Sequence, residues 1–284
     1  MPPEAVTRFA PSPTGPLHLG HAYAAMVAAE RAGAGRFLLR IEDIDQSRCR
    51  PQWEAQIYHD LEWLGLRWEV PVMRQSARGS AYRAGLDQLA ALGLLYPCCC
   101  TRADIRAALS APQEGAPLGP DGLTYPGTCR MRPMSEAGPN DALRLNMGAA
   151  LAHVGALEFI ENGPIHPGRH ALDRDWLRDV AGDVVLARRD MGTSYHLSVV
   201  LDDAAQDITE VTRGADLFDA TPIHVLLQAL LQLPTPSYYH HTLIRDDTGK
   251  RLAKRDDARA IARYREEGLR PEALRQRLTL SAGT

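Results

Sequence analysis

Apolar residues along this chain occur either in short unbroken runs or at helical intervals. Two runs predict buried strands, at residues 5–10 (AVTRFA) and 36–45 (RFLLRIEDID). Apolar positions with helical spacing predict three helices, at residues 22–33, 53–66 and 81–93. Because strands and helices alternate, the pattern predicts an α/β fold with a parallel sheet.

Residues 97–167 interrupt this alternation. Cysteines, a Gly/Pro-rich stretch and the short strand-like pieces ALRLNM and ALEFI replace it there, and strand and helix patterns return from Asp173. This change predicts a catalytic domain with an insertion, followed by a loop and a tail. The predicted units are residues 1–96 with 168–245, the inserted subdomain 97–167, and the loop with its short helical tail 246–284.

The chain has 284 residues, of which 45% are hydrophobic, enough for one large domain with an insertion or for two domains. Its N-terminus lacks the basic and apolar regions of a signal peptide, and its best apolar run, VLLQALLQL from Val225, is too short to cross a bilayer. We therefore expect a cytoplasmic protein with no membrane association. Nothing in the sequence indicates an obligate dimer, so a monomer is expected.

Charge is distributed unevenly. The net charge is −3, but the segment from Arg245 to the end has 11 basic and 7 acidic residues, so it carries +4 and the rest −7. Such a tail could contact the phosphates of a nucleic acid, or it could be an ordinary solvated helical face. Both interpretations remain open at this stage.

The stretch RFAPSPTGPLHLGH, residues 8–21, lies between the first strand and the first helix. In a parallel sheet this is where ligands bind, because strand ends meet helix N-termini there. Its prolines stiffen the turn, Gly15 and Gly20 permit close approach of a ligand, and His18 and His21 can donate hydrogen bonds to an anion. Two histidines at this spacing, taken alone, could equally have a structural or metal-binding role.

The HLGH segment with the residues before it resembles the HIGH motif of class I aminoacyl-tRNA synthetases, in its glutamyl version. KRLAKRD at residues 250–256 resembles the KMSKS loop of the same family, although alone it could be a basic surface loop. RIEDID, YHLSVVLDD and ITEVTRGADL are also similar to glutamyl-family segments. The resemblance extends from Arg8 to about Asp257 and implies a Rossmann-type nucleotide-binding domain with a parallel sheet.

The resemblance implies that the α-carboxylate of an amino acid attacks the α-phosphorus of ATP, with Mg²⁺ accompanying the nucleotide. In such a reaction, positioning and charge stabilisation carry most of the catalysis. His18, His21 and Lys254 would be catalytic, and with Gly20 they would bind ATP. The loop departs from the family pattern, since Ala253 replaces the serine and Arg251 stands at the first lysine position.

The amino acid implied by the resemblance is glutamate, with two carboxylates and one ammonium. Arg8 and Arg213 can each bind a carboxylate, Glu42 can bind the ammonium, and Tyr195 adds a hydroxyl. Which arginine binds which carboxylate is left open, and a structural Arg8–Glu42 ion pair is the alternative. Glutamine should be rejected, because its neutral side chain leaves one arginine unpaired. The matching backbone segment consists of Arg8, Phe9, Ala10, Pro11 and Ser12.

Cys98, Cys100 and Cys129 form a candidate set of three thiolate ligands for one structural zinc ion per chain. The set resembles the zinc-bearing acceptor-binding insertion of the glutamyl family, which implies Tyr125 as the fourth ligand. Cys99 could replace a neighbour in this set. Buried free thiols are the alternative, and isolated Cys49 is expected only to pack.

The chain ends 30 residues after Lys254, whereas full glutamyl-tRNA synthetases continue into a helical domain that binds the anticodon. This shortened form resembles the glutamyl-queuosine tRNA(Asp) synthetases. The resemblance implies transfer of glutamate to queuosine in the anticodon loop of tRNA(Asp). Two alternatives remain: a truncated synthetase that charges a tRNA 3′ end or a small acceptor, and a non-catalytic paralogue that binds glutamate, ATP or RNA.

Overall fold

The structure is a computed structural model that describes residues 4–109, 118–244 and 260–282. The strands are β1 (Val6–Phe9), β2 (Arg36–Ile41), β3 (Glu69–Arg74), β4 (Leu95–Cys98), β5 (Leu118–Gly119), β6 (Gly122–Leu123), β7 (Ala142–Leu145), β8 (Glu158–Glu161), β9 (Gly168–Ala171), β10 (Val185–Ala187), β11 (Glu210–Gly214) and β12 (Ser237–His241).

The α-helices are α1 (Leu19–Ala32), α2 (Pro51–Trp63), α3 (Gly79–Ala91), α4 (Arg102–Leu109), α5 (Met147–His153), α6 (Arg174–Trp176), α7 (Tyr195–Ala205), α8 (Thr221–Leu230), α9 (Ile261–Glu266) and α10 (Pro271–Ala282). A π-helical turn at Leu177–Ala181 extends α6. Short 3₁₀ turns occupy Gln75–Arg78, Met134–Glu136 and Ala215–Ala220.

β1, β2 and β3 form a parallel sheet in that order, and α1 packs against it. The packing is close because α1 presents small side chains, Ala22, Ala25 and Ala28, which are almost fully buried. Thr7 on β1 donates a hydrogen bond to the carbonyl of Ala28 at 2.6 Å. The predicted strands and the helix ending at Gly33 are confirmed, and α1 begins three residues earlier than predicted.

A second sheet has the order β11-β12-β8-β9, parallel except for the final β8–β9 pair. It adjoins the first sheet next to β1, where the Thr209 N–H donates to the Val6 carbonyl at 3.0 Å. The apolar helix α8 is almost entirely buried, as its run of leucines predicts. The α/β class with a parallel sheet is therefore confirmed.

A third, antiparallel sheet has the order β10-β7-β4, and β5 pairs with β6 in a separate hairpin. Strand pairing crosses the predicted domain limits in three places. β8, predicted inside the insertion, pairs with β12 and with β9, and β10, predicted outside it, pairs with β7. The domain division at 97–167 stays a prediction, and these two strands tie the insertion to the main sheets.

The buried apolar residues form a large cluster under α3, α5, α7 and α8, and a second one between α1, α2, β2 and the tail. Leu274 and Leu278 of α10 belong to the second cluster. The short helical tail is therefore packed against the body of the molecule. Among the helices of the described ranges, none has the length and apolar character needed to span a bilayer.

Candidate active site

A cleft of about 470 Å³ opens where β1 and β2 end and α7 begins. Of the predicted site residues it is lined by residues 9–12, His21, Glu42 and Tyr195. The proline-rich loop that forms one wall is held by two backbone hydrogen bonds of 3.0 Å, from Glu42 N–H to Pro11 and from Arg50 N–H to Pro13. The cleft thus lies at the carboxyl edge of the parallel sheet, as predicted.

His18 and His21 cap the start of α1 reciprocally. Nδ1 of His18 accepts the Gly20 N–H, and Nδ1 of His21 accepts the His18 N–H, both at 3.1 Å. Because both Nδ1 atoms accept, each neutral ring carries its proton on Nε2. The ring centroids are 3.8 Å apart, so the two imidazoles lie together at the helix N-terminus.

The segment after the predicted KMSKS-type loop returns to this helix start. Ala260 forms an antiparallel bridge with His18, and the Ile261 N–H donates to the Leu17 carbonyl at 2.9 Å. Ile244, which precedes the loop, shares a buried cluster with Leu17 and Ile261. Both ends of the loop therefore lie near the histidines. Lys254, Arg251 and Ala253 lie outside the described residues.

Arg8 does not line the cleft. Its guanidinium is buried behind β1, where Nε and Nη2 donate to the carboxylate of Asp203 at 2.8 and 3.2 Å. Nη1 donates to the Thr212 carbonyl at 3.0 Å. The Arg8 side chain is thus paired with an acid on α7 rather than with Glu42, which differs from the ion pair considered as the structural alternative.

Arg40 connects this pair to Glu42. It is completely buried and donates to Asp203 at 2.6 Å and to Glu42 at 3.2 Å. Burial opposes ionisation of Asp203, but Arg8 and Arg40 outweigh it and hold its pKa at about 2. At Glu42, burial has the larger effect and raises the pKa, although Arg40 and Arg8 lower it.

Arg213 on β11 is 6% exposed and approaches the cleft behind Tyr195. Nη1 donates to the Tyr195 hydroxyl at 3.3 Å, and Tyr195, the first residue of α7, lines the cleft. Ser194 caps α7 by accepting the Leu197 N–H, which fixes where Tyr195 begins the helix. The structure therefore brings Tyr195 and Arg213 together, with the hydroxyl between the guanidinium and the cleft.

The predicted metal ligands lie together. The Sγ atoms of Cys98, Cys100 and Cys129 are all within 4.8 Å of one another, and Cys100 Sγ is 3.5 Å from Cys129 Sγ. The Tyr125 hydroxyl oxygen is 3.4 Å from Cys98 Sγ and 3.5 Å from Cys100 Sγ. Cys99 is exposed and its Sγ lies 3.9 Å from Cys129 Sγ, but it is not one of the three thiols that are mutually within 4.8 Å.

This donor set fits a tetrahedral zinc ion. Zn–S bonds of about 2.3 Å place thiolates about 3.8 Å apart, close to the spacing found here. Burial opposes ionisation of Cys129, but hydrogen bonds from Tyr125 and from neighbouring thiols lower its pKa to about 6. The pKa of Tyr125 is raised by burial and by the thiols, so a phenolate at this position needs a cation.

Sequence reasoning did not single out Arg40, Asp203, His224 or His240, all of which are buried beside the cleft. A signal for the first two was present, since each is a charged residue within an apolar run, FLLRI or VVLDD. A charge in such a run has to be paired when the run is buried. The two histidines carried no such signal, because their partners come from distant segments.

Comparison with known proteins identifies the family. Residues 4–125 and 173–284 match the family model of class I tRNA synthetases (E and Q), catalytic domain. The chain is 60% identical over 280 residues to the glutamyl-Q tRNA(Asp) synthetase of Rhodobacter capsulatus, covering 97% of this chain and all of that protein. It is 40% identical to the glutamyl-Q tRNA(Asp) synthetase of Geobacter sulfurreducens, covering 93% of this chain and 80% of that protein.

Among solved structures, the glutamate tRNA ligase of Elizabethkingia meningosepticum in complex with its amino acid is similar, with a TM-score of 0.74 and 26% identity. The match covers 97% of this chain, which spans only 60% of that ligase. The sequence motifs, the parallel sheet and the cleft at its carboxyl edge agree with these likenesses. The chain belongs to the class I tRNA synthetases of the E and Q family, among the glutamyl-Q tRNA(Asp) synthetases.

Proposed function

We propose that this enzyme activates L-glutamate with ATP and transfers it to queuosine in the anticodon loop of tRNA(Asp). The observation that carries the proposal is the bridge between His18 and Ala260, which brings the segment after the predicted KMSKS-type loop to the start of α1. The names of the relatives at 60% and 40% identity support the same substrates. Since ATP and tRNA are cytoplasmic, we expect the enzyme to act there.

In the first step, the glutamate α-carboxylate attacks the α-phosphorus of ATP, and pyrophosphate leaves. His18 and His21 donate their Nε2 protons to phosphate oxygens at the N-terminus of α1, where the helix dipole also favours anions. Gly20 permits the phosphates to approach the backbone. Lys254 stabilises the charge of the departing pyrophosphate, and Mg²⁺ accompanies the nucleotide.

Glutamate binds in the cleft between the 8–12 segment and Tyr195. The Glu42 carboxylate binds the substrate ammonium, and its position beside Arg40 supports an ionised state despite burial. Tyr195 and Arg213 bind one carboxylate at the other end of the cleft. Arg8 joins β1 to α7 behind the cleft through its ion pair with Asp203. Backbone groups of residues 9–12 contact the substrate.

Zinc, when bound by Cys98, Cys100, Cys129 and Tyr125, has a structural role. Its positive charge makes the thiolates and the phenolate favourable together in a buried place. All four positions belong to the protein, which leaves no place for a substrate ligand. The ion would join the end of β4 to the loop after β6.

Amino-acid-dependent exchange of labelled pyrophosphate into ATP tests the activation step. We expect exchange with glutamate, without any tRNA, and with none of the other nineteen amino acids. Exchange with no amino acid would identify the chain as a non-catalytic paralogue. Exchange with glutamine at a rate like that of glutamate would contradict the assigned pocket.

A further inference from the structure

Arg213 is surrounded by uncharged acceptors. Its Nε–H donates to His240 Nε2 at 3.0 Å, and Nη1 donates to His224 Nδ1 at 3.0 Å and to the Tyr195 hydroxyl at 3.3 Å. Nη2 donates to the Thr221 hydroxyl at 2.7 Å. Among the described residues, Arg213 has no carboxylate partner, so its positive charge is hydrogen-bonded without being neutralised.

The hydrogen bonds from Arg213 fix the tautomer of both histidines. A guanidinium only donates, so the imidazole nitrogens that face it must be unprotonated. His240 therefore carries its proton on Nδ1 and donates it to the Glu161 carboxylate at 2.6 Å. His224 carries its proton on Nε2 and donates it to His196 Nδ1 at 3.0 Å.

The hydrogen bond from His224 also fixes the tautomer of the next imidazole, that of His196. Because His196 accepts at Nδ1, its proton is on Nε2, which lies 3.1 Å from a carboxylate oxygen of Asp121. Asp121 and Glu161 thus orient the imidazoles without touching Arg213. Burial, then the charge of Arg213, lowers the pKa of His224 well below its ordinary value, and burial lowers that of His240.

The neighbouring buried arginines contact carboxylates directly, whereas Arg213, among the described residues, does not. Arg8 and Arg40 together carry two positive charges, and they are bonded to two acids, Asp203 and Glu42. The carboxylates nearest to Arg213 through its histidines, Glu161 and Asp121, are each separated from its guanidinium by imidazole rings. Glutamate carries a net charge of −1 at neutral pH and glutamine carries none.

Resting on the function proposed above, we propose that His224 and His240 are positioning residues that keep Arg213 charged and unneutralised for the side-chain carboxylate of glutamate. Because the Tyr195 oxygen accepts from Arg213, its own proton is directed elsewhere, and Tyr195 lines the cleft. The substrate carboxylate then receives a hydrogen bond from a hydroxyl that is polarised by a cation. Selection of glutamate over glutamine follows because the guanidinium has no carboxylate in direct contact before the substrate binds.

An isosteric pair of variants separates charge from packing. His224→Glu places a carboxylate beside Arg213, and His224→Gln places a neutral amide of the same size there. In pyrophosphate exchange, we expect His224→Glu to raise the KM for glutamate about tenfold above that of His224→Gln and to lower the glutamate-to-glutamine preference similarly. The KM for ATP should agree within about twofold between the variants, because the proposed nucleotide contacts are His18 and His21 rather than Arg213.

Thr221 offers a second pair, should His224→Glu fail to fold. It is the first residue of α8, where the helix dipole favours an acidic side chain, and Thr221→Asn is the neutral match of Thr221→Asp in size. The Asp variant should lose glutamate preference relative to the Asn variant. Equal KM and equal preference within each pair would overturn the inference while leaving the proposed function intact. Absence of glutamate-dependent exchange in the unmodified enzyme would instead overturn the proposed function.

Discussion

Asp203 holds two buried arginines at the back of the cleft, and its carboxylate is 5% exposed. Replacing it with Asn would leave Arg8 and Arg40 buried with less than their full countercharge. Removal of one partner from such a buried pair costs about 3–5 kcal/mol of unfolding free energy. We predict a loss of that size for Asp203→Asn in urea unfolding. Asp207→Asn, an exposed control on the same segment, should change stability by less than about 0.5 kcal/mol.

The pKa of Asp203 also predicts how stability depends on pH. Its folded-state pKa, about 2, is below the ordinary value of 3.8, so the ionised form favours the folded protein. This contribution, on the order of 2 kcal/mol, is fully present above about pH 4 and is lost as the pH falls toward 2. The stability difference between unmodified protein and Asp203→Asn should therefore shrink across that range. A constant difference from pH 6 to pH 2 would contradict the assignment.

At the residue scale, the sequence indicated which residues lie at the cleft better than it indicated which partners they bind. Glu42, Tyr195 and His21, which the sequence assigned to the site, line the cleft, because they follow strands or begin helices whose limits the pattern reveals. Arg8, which the resemblance assigned to the substrate, is bonded to Asp203, 195 positions away. No local pattern can reveal a partner at that distance along the chain.

At the element scale, one residue at the start of α1, His18, both stabilises the helix and is proposed to act in catalysis. His18 accepts the Gly20 N–H as the helix cap, and it is also the proposed phosphate donor. His18→Ala should lose both, about 1 kcal/mol of stability and on the order of 100-fold in exchange rate. His18→Asn should keep the cap but lose the Nε2 donor. Thermal unfolding and exchange assays should then show a near-normal Tm and a low rate for the Asn variant; a normal rate would refute the catalytic role.

The cysteine cluster between β4 and the loop after β6 offers a second test at this scale. Cys129→Ser removes one thiolate from the proposed zinc site, so zinc content measured by atomic absorption should fall from about one per chain to near zero. The Tm should fall as well. Cys49→Ser, which lies outside the cluster, should retain zinc. Zinc-free unmodified protein with an unchanged Tm after chelation would support buried free thiols instead.

Element prediction failed mainly where strands pair out of sequence. ALEFI was correctly predicted to be strand-like, yet β8 pairs with β12, some 77 positions later at Glu161 and Tyr238. The pattern of apolar residues indicates whether a segment is a strand, but it does not indicate which strand pairs with it in the sheet. The parallel order β1-β2-β3 was accessible because consecutive strands joined by helices usually pair side by side.

At the scale of the whole molecule, part of the basic tail serves the fold. Arg265 forms an ion pair with buried Asp60 at 2.7 Å, and Arg275 donates to the Leu64 carbonyl. These contacts lie where α9 and α10 pack against α2 and α1. Substitutions of these two arginines should therefore lower stability, whereas substitution of exposed Arg270 should weaken tRNA binding alone. Gel-shift titration at two salt concentrations, beside thermal unfolding, separates the two effects.

The most direct test of the account is the position of labelled glutamate on tRNA(Asp) after incubation with ATP. Nuclease digestion separates the anticodon fragment from the 3′ fragment. We predict label on the anticodon fragment of tRNA that contains queuosine, and none on tRNA that lacks it. Label at the 3′ end, independent of queuosine, would contradict the proposed acceptor.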